Sequence, residues 1–222
     1  MNLIKKALVA FILLAALGSS ALALINFGKP AKPPLIHGVV LLAPQPIAEF
    51  SLQDHRGQSF TNTRLAGQWH IVSYGYTDCP DICPTTLQVL SQLEERLENE
   101  DQYADLEVLF YTIDPLRDTV EHLAQYVPYF SDRFVGLAPG AQYADCLPFE
   151  RSLGIQAVIT PMPPGKQNLK GYTVSHGMMM YLINPQGELQ AIFKPETTTS
   201  DVQFFSVDQL YNDYVALRNY YG

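Results

Sequence analysis

Two short, almost unbroken apolar runs constrain this chain most. Residues 69–74 and 106–112 each suit a buried strand. Between them Leu87, Leu90, Leu93 and Leu97 recur at helical spacing and lie close to one face. Strand, amphipathic helix and strand in that order predict a layered α/β domain.

The rest of the chain extends the alternation. Phe50-Ser51-Leu52 and Gln58-Ser59-Phe60 flank a turn at residues 54–57, which predicts an N-terminal hairpin extension. Asp118 and Glu121 form a capping-box-like pair before a helix with Val120, Leu123, Ala124 and Val127 as its apolar stripe. A short strand is expected at 134–137, a helix over 143–153 ended by Gly154, and strands over 173–183 and 188–193 around a turn at 184–187. Ser206 and Gln209 open a last helix with Leu210, Tyr214 and Leu217 on one face. Residues 161–171, rich in Pro, Gly and Lys, read as an inserted loop. The pattern suggests a thioredoxin-like sandwich, a central mixed sheet with flanking helices.

Composition narrows the function. The chain is 47% apolar and 11% aromatic, which excludes disorder. Three cysteines cannot build a multi-bridge framework without a leftover thiol. A net charge of −8 argues against nucleic acid as a partner.

Lys5 and Lys6 precede a nearly uncharged stretch, residues 7–27, long enough to cross a bilayer. It predicts a single-pass anchor with the lysines inside and the rest of the chain facing out. The alternative is a cleaved signal peptide, with residues 7–18 as its apolar core and Ala21-Leu22-Ala23 as its cleavage site. Pro30, Pro33 and Pro34 then mark a stiff spacer. The expected plan is an anchor or signal over 1–27, a Pro-rich linker over 28–40 and one folded domain over 41–222.

Cys79 and Cys83 stand four apart, between the first buried strand and the helix. In a helical turn they share a face, and a helix N-terminus favours thiolate over thiol. Such a pair either binds a soft metal or closes and opens a disulfide. Its surroundings, Asp78, Pro80, Asp81 and Pro84, suit an exposed loop. A third metal ligand would come from His37, His55, His70, His122 or His176, and spacing alone does not choose among them. Cys146 has no matching partner and is expected to be a free thiol.

The stretch Gly75-x-Thr77-x-Cys79-Pro80-Asp81-Ile82-Cys83-Pro84, with Asp114-Pro115-x-Arg117-Asp118-Thr119 downstream, resembles the SCO/SenC family of cytochrome oxidase assembly proteins. Phe50-x-Leu52-x-Asp54-x-x-Gly57, Phe134-x-Gly136-Leu137 and Tyr181-Leu182-Ile183-x-Pro185-x-Gly187 look like further family segments. The resemblance covers about residues 45–220. It implies a thioredoxin-like fold, a membrane tether, and copper held by Cys79, Cys83 and His176. It implies partners too: the copper-site subunit of cytochrome c oxidase, and an upstream copper donor or thiol reductant. The implied location is a bacterial-type inner membrane with the domain facing the periplasm, or the equivalent mitochondrial membrane. One departure stands out: the family usually places Asp before the histidine and Ser after it, where this chain has Ser175 and Gly177.

Soft thiolates favour Cu(I), imidazole accepts either copper state, and structural zinc normally wants four protein ligands. A copper metallochaperone is therefore the leading expectation. The alternatives are a thiol–disulfide oxidoreductase acting through Cys79 and Cys83, and a redox or copper sensor. Strand alternation places His176, Met178 and Met180 on one face, with the methionines expected mainly as core filler. Asp114, Arg117 and Asp118 are expected to brace a loop near the site.

Overall fold

A computed structural model describes residues 32–103, 105–161 and 171–222. Its centre is the expected strand–helix–strand unit: β4 (Trp69–Gly75), α1 (Ile82–Asn99) and β5 (Leu106–Thr112). The two strands pair in parallel, from Trp69 opposite Leu106 to Gly75 opposite Thr112. Around them lie β1 (Gly38–Pro46), β2 (Ser51–Asp54), β3 (Ser59–Thr61), β6 (Val135–Pro139), β9 (Met180–Ile183) and β10 (Glu188–Phe193). The eight strands run in the order β1-β10-β9-β4-β5-β6-β2-β3. β6 joins β5 in parallel, whereas β9, β10, β1 and the β2–β3 hairpin are antiparallel, so the sheet is mixed.

Both faces of the sheet are covered because its central strands alternate between two apolar clusters. Val108 and Phe110 face α1, α2 (Val120–Tyr126) and α4 (Val207–Tyr221). Leu109 and Tyr111 face the hairpin and α3 (Leu147–Leu153). Leu87, Leu90, Leu93 and Leu97 of α1 are buried as the spacing predicts, and burial of each stabilises the fold by about 1.5–3 kcal/mol. Ser206 caps α4 by accepting a hydrogen bond from the Gln209 amide. Gly154 ends α3 in the left-handed region at φ 74°.

Three sequence expectations change. The cap of α2 is Thr119, not Asp118: the Thr119 side chain accepts from the His122 amide, while the Asp118 carboxylate is buried elsewhere. The helix expected over 143–153 divides into a 3-10 turn, Tyr143–Asp145, and α3, with Pro148 at the start of the latter. The single strand expected over 173–183 is two strands in different sheets. β8 (Tyr172–His176) pairs with β7 (Ala157–Pro161) in a separate two-stranded ribbon, and β9 belongs to the main sheet. The alternation of His176 with Met180 is lost at this break: Met180 is fully buried in the core against α1. Most of the expected inserted loop, 162–170, lies outside the described residues.

The single-pass inner-membrane placement is also corrected. Among the described residues no helix is long and apolar enough to cross a membrane. The longest, α1, has 18 residues and carries Glu94, Glu95, Arg96 and Glu98, the pattern of an amphipathic helix lying on a core. Residues 1–27, on which that expectation rests, lie outside the described residues.

Candidate metal centre

The C-terminal ends of β4 and β5 form the platform of the site. β4 ends at Gly75 and runs through Tyr76–Cys79 into α1, which places Cys83 in its first turn. Gly75 makes room for it: a Cβ there would stand 2.5 Å from the Cys83 sulfur. The Cys83 amide donates to Cys79 Sγ at 3.5 Å. Both thiols are reduced; Cys83 is buried and Cys79 half-exposed.

The two sulfurs are not equivalent. A hydrogen bond from the Cys83 thiol, with the amides of Cys83, Asp81 and Ile82, lowers the Cys79 pKa from 9.0 to about 5 against the opposing effect of burial. The Cys83 pKa moves up, because its proton is shared with the Cys79 thiolate and because it is buried. The pair thus holds one proton at neutral pH, and the exposed sulfur carries the charge.

β8 brings the third residue. His176 Nε2 lies 4.0 Å from Cys83 Sγ. Its Nδ1 is 2.6 Å from the Gly177 carbonyl oxygen. A carbonyl only accepts, so Nδ1 carries the proton and the Nε2 lone pair faces the sulfur. The backbone thereby orients the imidazole without the carboxylate that Ser175 lacks. Tyr74 and Tyr76 flank the ring, with centroids at 5.4 and 6.0 Å. A Cβ on Gly177 would meet the Tyr74 hydroxyl at 2.9 Å. Met178 and Met179 line a small cleft with Tyr74, Ile82, Cys83 and His176.

The other histidines stand elsewhere. His37 is near Pro195, His122 Nδ1 is bonded to the Arg117 carbonyl, His55 Nδ1 accepts from the Gly136 amide, and His70 faces Glu107 within the sheet. Cys146 is buried, its thiol donating to the Tyr143 carbonyl at 2.9 Å. Among the described residues, no three or more His, Cys, Asp or Glu side chains converge closely enough to form a ready-made metal cage. Cys79, Cys83 and His176 stand together without closing.

Asp118 fixes the cysteine loop. Its carboxylate accepts from the Thr77 amide at 2.9 Å, the Thr77 hydroxyl at 2.5 Å and the Thr112 hydroxyl at 2.6 Å. Burial raises its pKa against those three bonds. Asp114, fully buried, accepts from Arg117 and from the Tyr172 hydroxyl. Tyr74, Tyr76 and Tyr172 around the site carry no sequence signal, whereas Gly75 opens the cysteine motif and Gly177 follows His176.

A family model described as SCO1/SenC matches residues 42–205. The chain belongs to the SCO1/SenC family. One relative is the "putative copper-binding protein" of Stutzerimonas stutzeri, 35% identical over 68% of this chain and 71% of its own length. Another is the human mitochondrial protein SCO1 homolog, 36% identical over 65% of this chain and 46% of its own. The chain therefore spans about half the length of that relative. The crystal structure of Arabidopsis thaliana ScoI with copper bound superposes with a TM-score of 0.65 at 28% identity, over 78% of this chain and 98% of that one. The thioredoxin-like sandwich is the fold of the SCO1/SenC family.

Proposed function

We propose that this domain is a copper metallochaperone, with Cys79, Cys83 and His176 as its copper donors, and that it helps assemble the dicopper site of cytochrome c oxidase. The observation that carries the reading is the orientation of the His176 ring, Nδ1 at the Gly177 carbonyl and Nε2 toward Cys83 Sγ. With Nδ1–H bound to Gly177, Nε2 offers its lone pair toward a reduced pair that already includes one thiolate. Two sulfurs and one imidazole form a soft donor set that suits Cu(I) and is one ligand short of structural zinc. Half-exposed Cys79 gives the cargo a way in and out. Family membership supports the same reading, as does the copper named for the Arabidopsis and Stutzerimonas relatives.

Metal analysis and absorption spectroscopy of the reduced protein test it. The wild type should bind copper and show thiolate-to-Cu(II) bands. His176→Ala should lose both, while its dithiol still oxidises. Tight copper binding retained in His176→Ala would sink the ligand assignment.

The thiol asymmetry favours a second reading, thiol–disulfide exchange with the cysteines of the oxidase copper site. The Cys79 thiolate would attack one sulfur of the acceptor disulfide, form a mixed disulfide and expel the other sulfur as thiolate. Cys83 would then pass its proton to the expelled acceptor thiolate and attack Cys79 Sγ, closing the Cys79–Cys83 disulfide and releasing the acceptor's second sulfur as thiolate. The two cysteines are oxidised and the acceptor is reduced by the same two electrons. Cys83→Ser would trap the mixed disulfide.

A further inference from the structure

The ribbon that carries His176 is held to the body by few side chains. Among the described residues, β7 and β8 pair only with each other. Every residue of β7 is exposed, and on β8 only Val174 is buried. Beyond His176 the chain leaves the ribbon at Gly177 and rejoins a sheet only at Met180. Such a ribbon does little by itself to fix an imidazole against a sulfur on another element.

Tyr172 supplies a second hold. Its hydroxyl donates to Asp114 Oδ1 at 2.6 Å, and its ring lies 4.2 Å from the Arg117 guanidinium. Arg117 also bonds Asp114 through Nε, stands 5.5 Å over the Tyr76 ring, and approaches the Asp78 carboxylate at 4.0 Å through Nη1. Tyr76 and Asp78 belong to the cysteine loop, and the Tyr76 ring meets His176 edge-on. One cluster therefore touches both segments that bring donors to the site. Among the described residues, buried Arg117 Nη2 has no hydrogen-bond partner. The guanidinium is thus seated by the two tyrosine rings as well as by its carboxylates.

We propose that Tyr172 is a positioning residue for His176: its hydroxyl, held by Asp114, and its ring, lying over Arg117, fasten the β7–β8 ribbon to the cysteine loop and set the imidazole against Cys83. This rests on the reading of Cys79, Cys83 and His176 as copper donors. The clasp ties the ribbon to a distant segment of the chain, whereas the Gly177 carbonyl belongs to the residue next to His176.

Tyr172→Phe isolates the effect, since it keeps the ring over Arg117 and removes only the hydroxyl. In the metal-free reduced protein, the His176 imidazole resonances should broaden and the ring should exchange its Nδ1 proton faster. In the copper-loaded protein, release to a competing chelator should speed up about tenfold, the loss expected for one hydrogen bond to a buried carboxylate. Tyr129→Phe, at an exposed tyrosine away from the site, should change neither. Unmoved imidazole resonances with release within about twofold of wild type would overturn the proposal. Thermal unfolding of Tyr172→Phe checks that the variant is folded. If the wild type itself takes up no copper, the copper reading falls. The imidazole resonances of the metal-free protein then decide on Tyr172 alone: broadened they support the clasp, unmoved they overturn it.

Discussion

The behaviour of the site turns on one proton shared by two sulfurs. Cys79 has a folded-state pKa of about 5 against an ordinary 9.0. Between those values the unfolded chain holds a proton at Cys79 that the folded chain does not. The stability this group contributes is therefore full above the ordinary thiol pKa and is lost as pH falls toward about 5. Cys83, shifted up, opposes this only at pH above the ordinary thiol range. Reactivity follows the same window. Carboxymethylation of the reduced protein should label Cys79 and spare buried Cys83. Its rate should stay nearly level from neutral pH to about pH 6 and then fall. Rates read by mass spectrometry against pH check this, and a rate that climbs steadily to an ordinary thiol midpoint would contradict it. The cysteines themselves are plain in the sequence, and so is their place between a strand and a helix. Their inequality is not, because it arises from which sulfur packs beneath Gly75 and which faces the amides of the turn.

At the scale of elements, the loop between β4 and α1 keeps its shape through Asp118, which comes from the next strand–helix connection. Asp118→Ala would leave the Thr77 amide and the Thr112 hydroxyl without their acceptor. Unsatisfied buried donors of this kind cost about 1–3 kcal/mol. Urea denaturation should show a loss in that range, and copper should be held more weakly than in wild type. A stable variant with loosened copper would assign Asp118 to the site alone. A destabilised variant with unchanged copper would assign it to the fold alone. The sequence places Asp118 at a helix start and, with Asp114 and Arg117, among residues expected to brace a loop near the site, but it does not show which donors the carboxylate takes up. The break between β8 and β9 is hidden for a similar reason. Tyr172 through Ile183 keeps a strand-like composition, yet Ala157 pairs with His176 while Val72 and His70 capture Tyr181 and Ile183. Distant partners decide where the strand divides. Elements set by their own periodicity, such as α1, α4, β5 and β10, fall where the sequence puts them.

The whole molecule brings together Cys83 and His176, 93 residues apart, around a sheet covered on both faces. The layered α/β class is legible because short apolar runs alternate with an amphipathic helix. The order of the strands is not, and neither is the edge position of β1, whose Gly38 packs its backbone directly against Ile192. The end of the chain closes the face behind α1. There Leu210, Tyr214 and Leu217 are buried beside Arg218. The Arg218 guanidinium binds Asp105 through two nitrogens at 2.7 and 3.1 Å, donates to the Tyr214 hydroxyl at 2.6 Å, and lies against the rings of Trp69 and Tyr103. It joins the last helix to the start of β4 and to the connection before β5. Arg218→Ala should lower stability by about 2 kcal/mol. That is less than for a fully enclosed pair, because Asp105 is 54% exposed and water screens its charge. Urea denaturation measures the loss, and copper stoichiometry at the distant site should stay that of wild type. A loss within about 0.5 kcal/mol of zero, the range of ordinary surface changes, would mean that the apolar face of α4 holds the helix without its arginine.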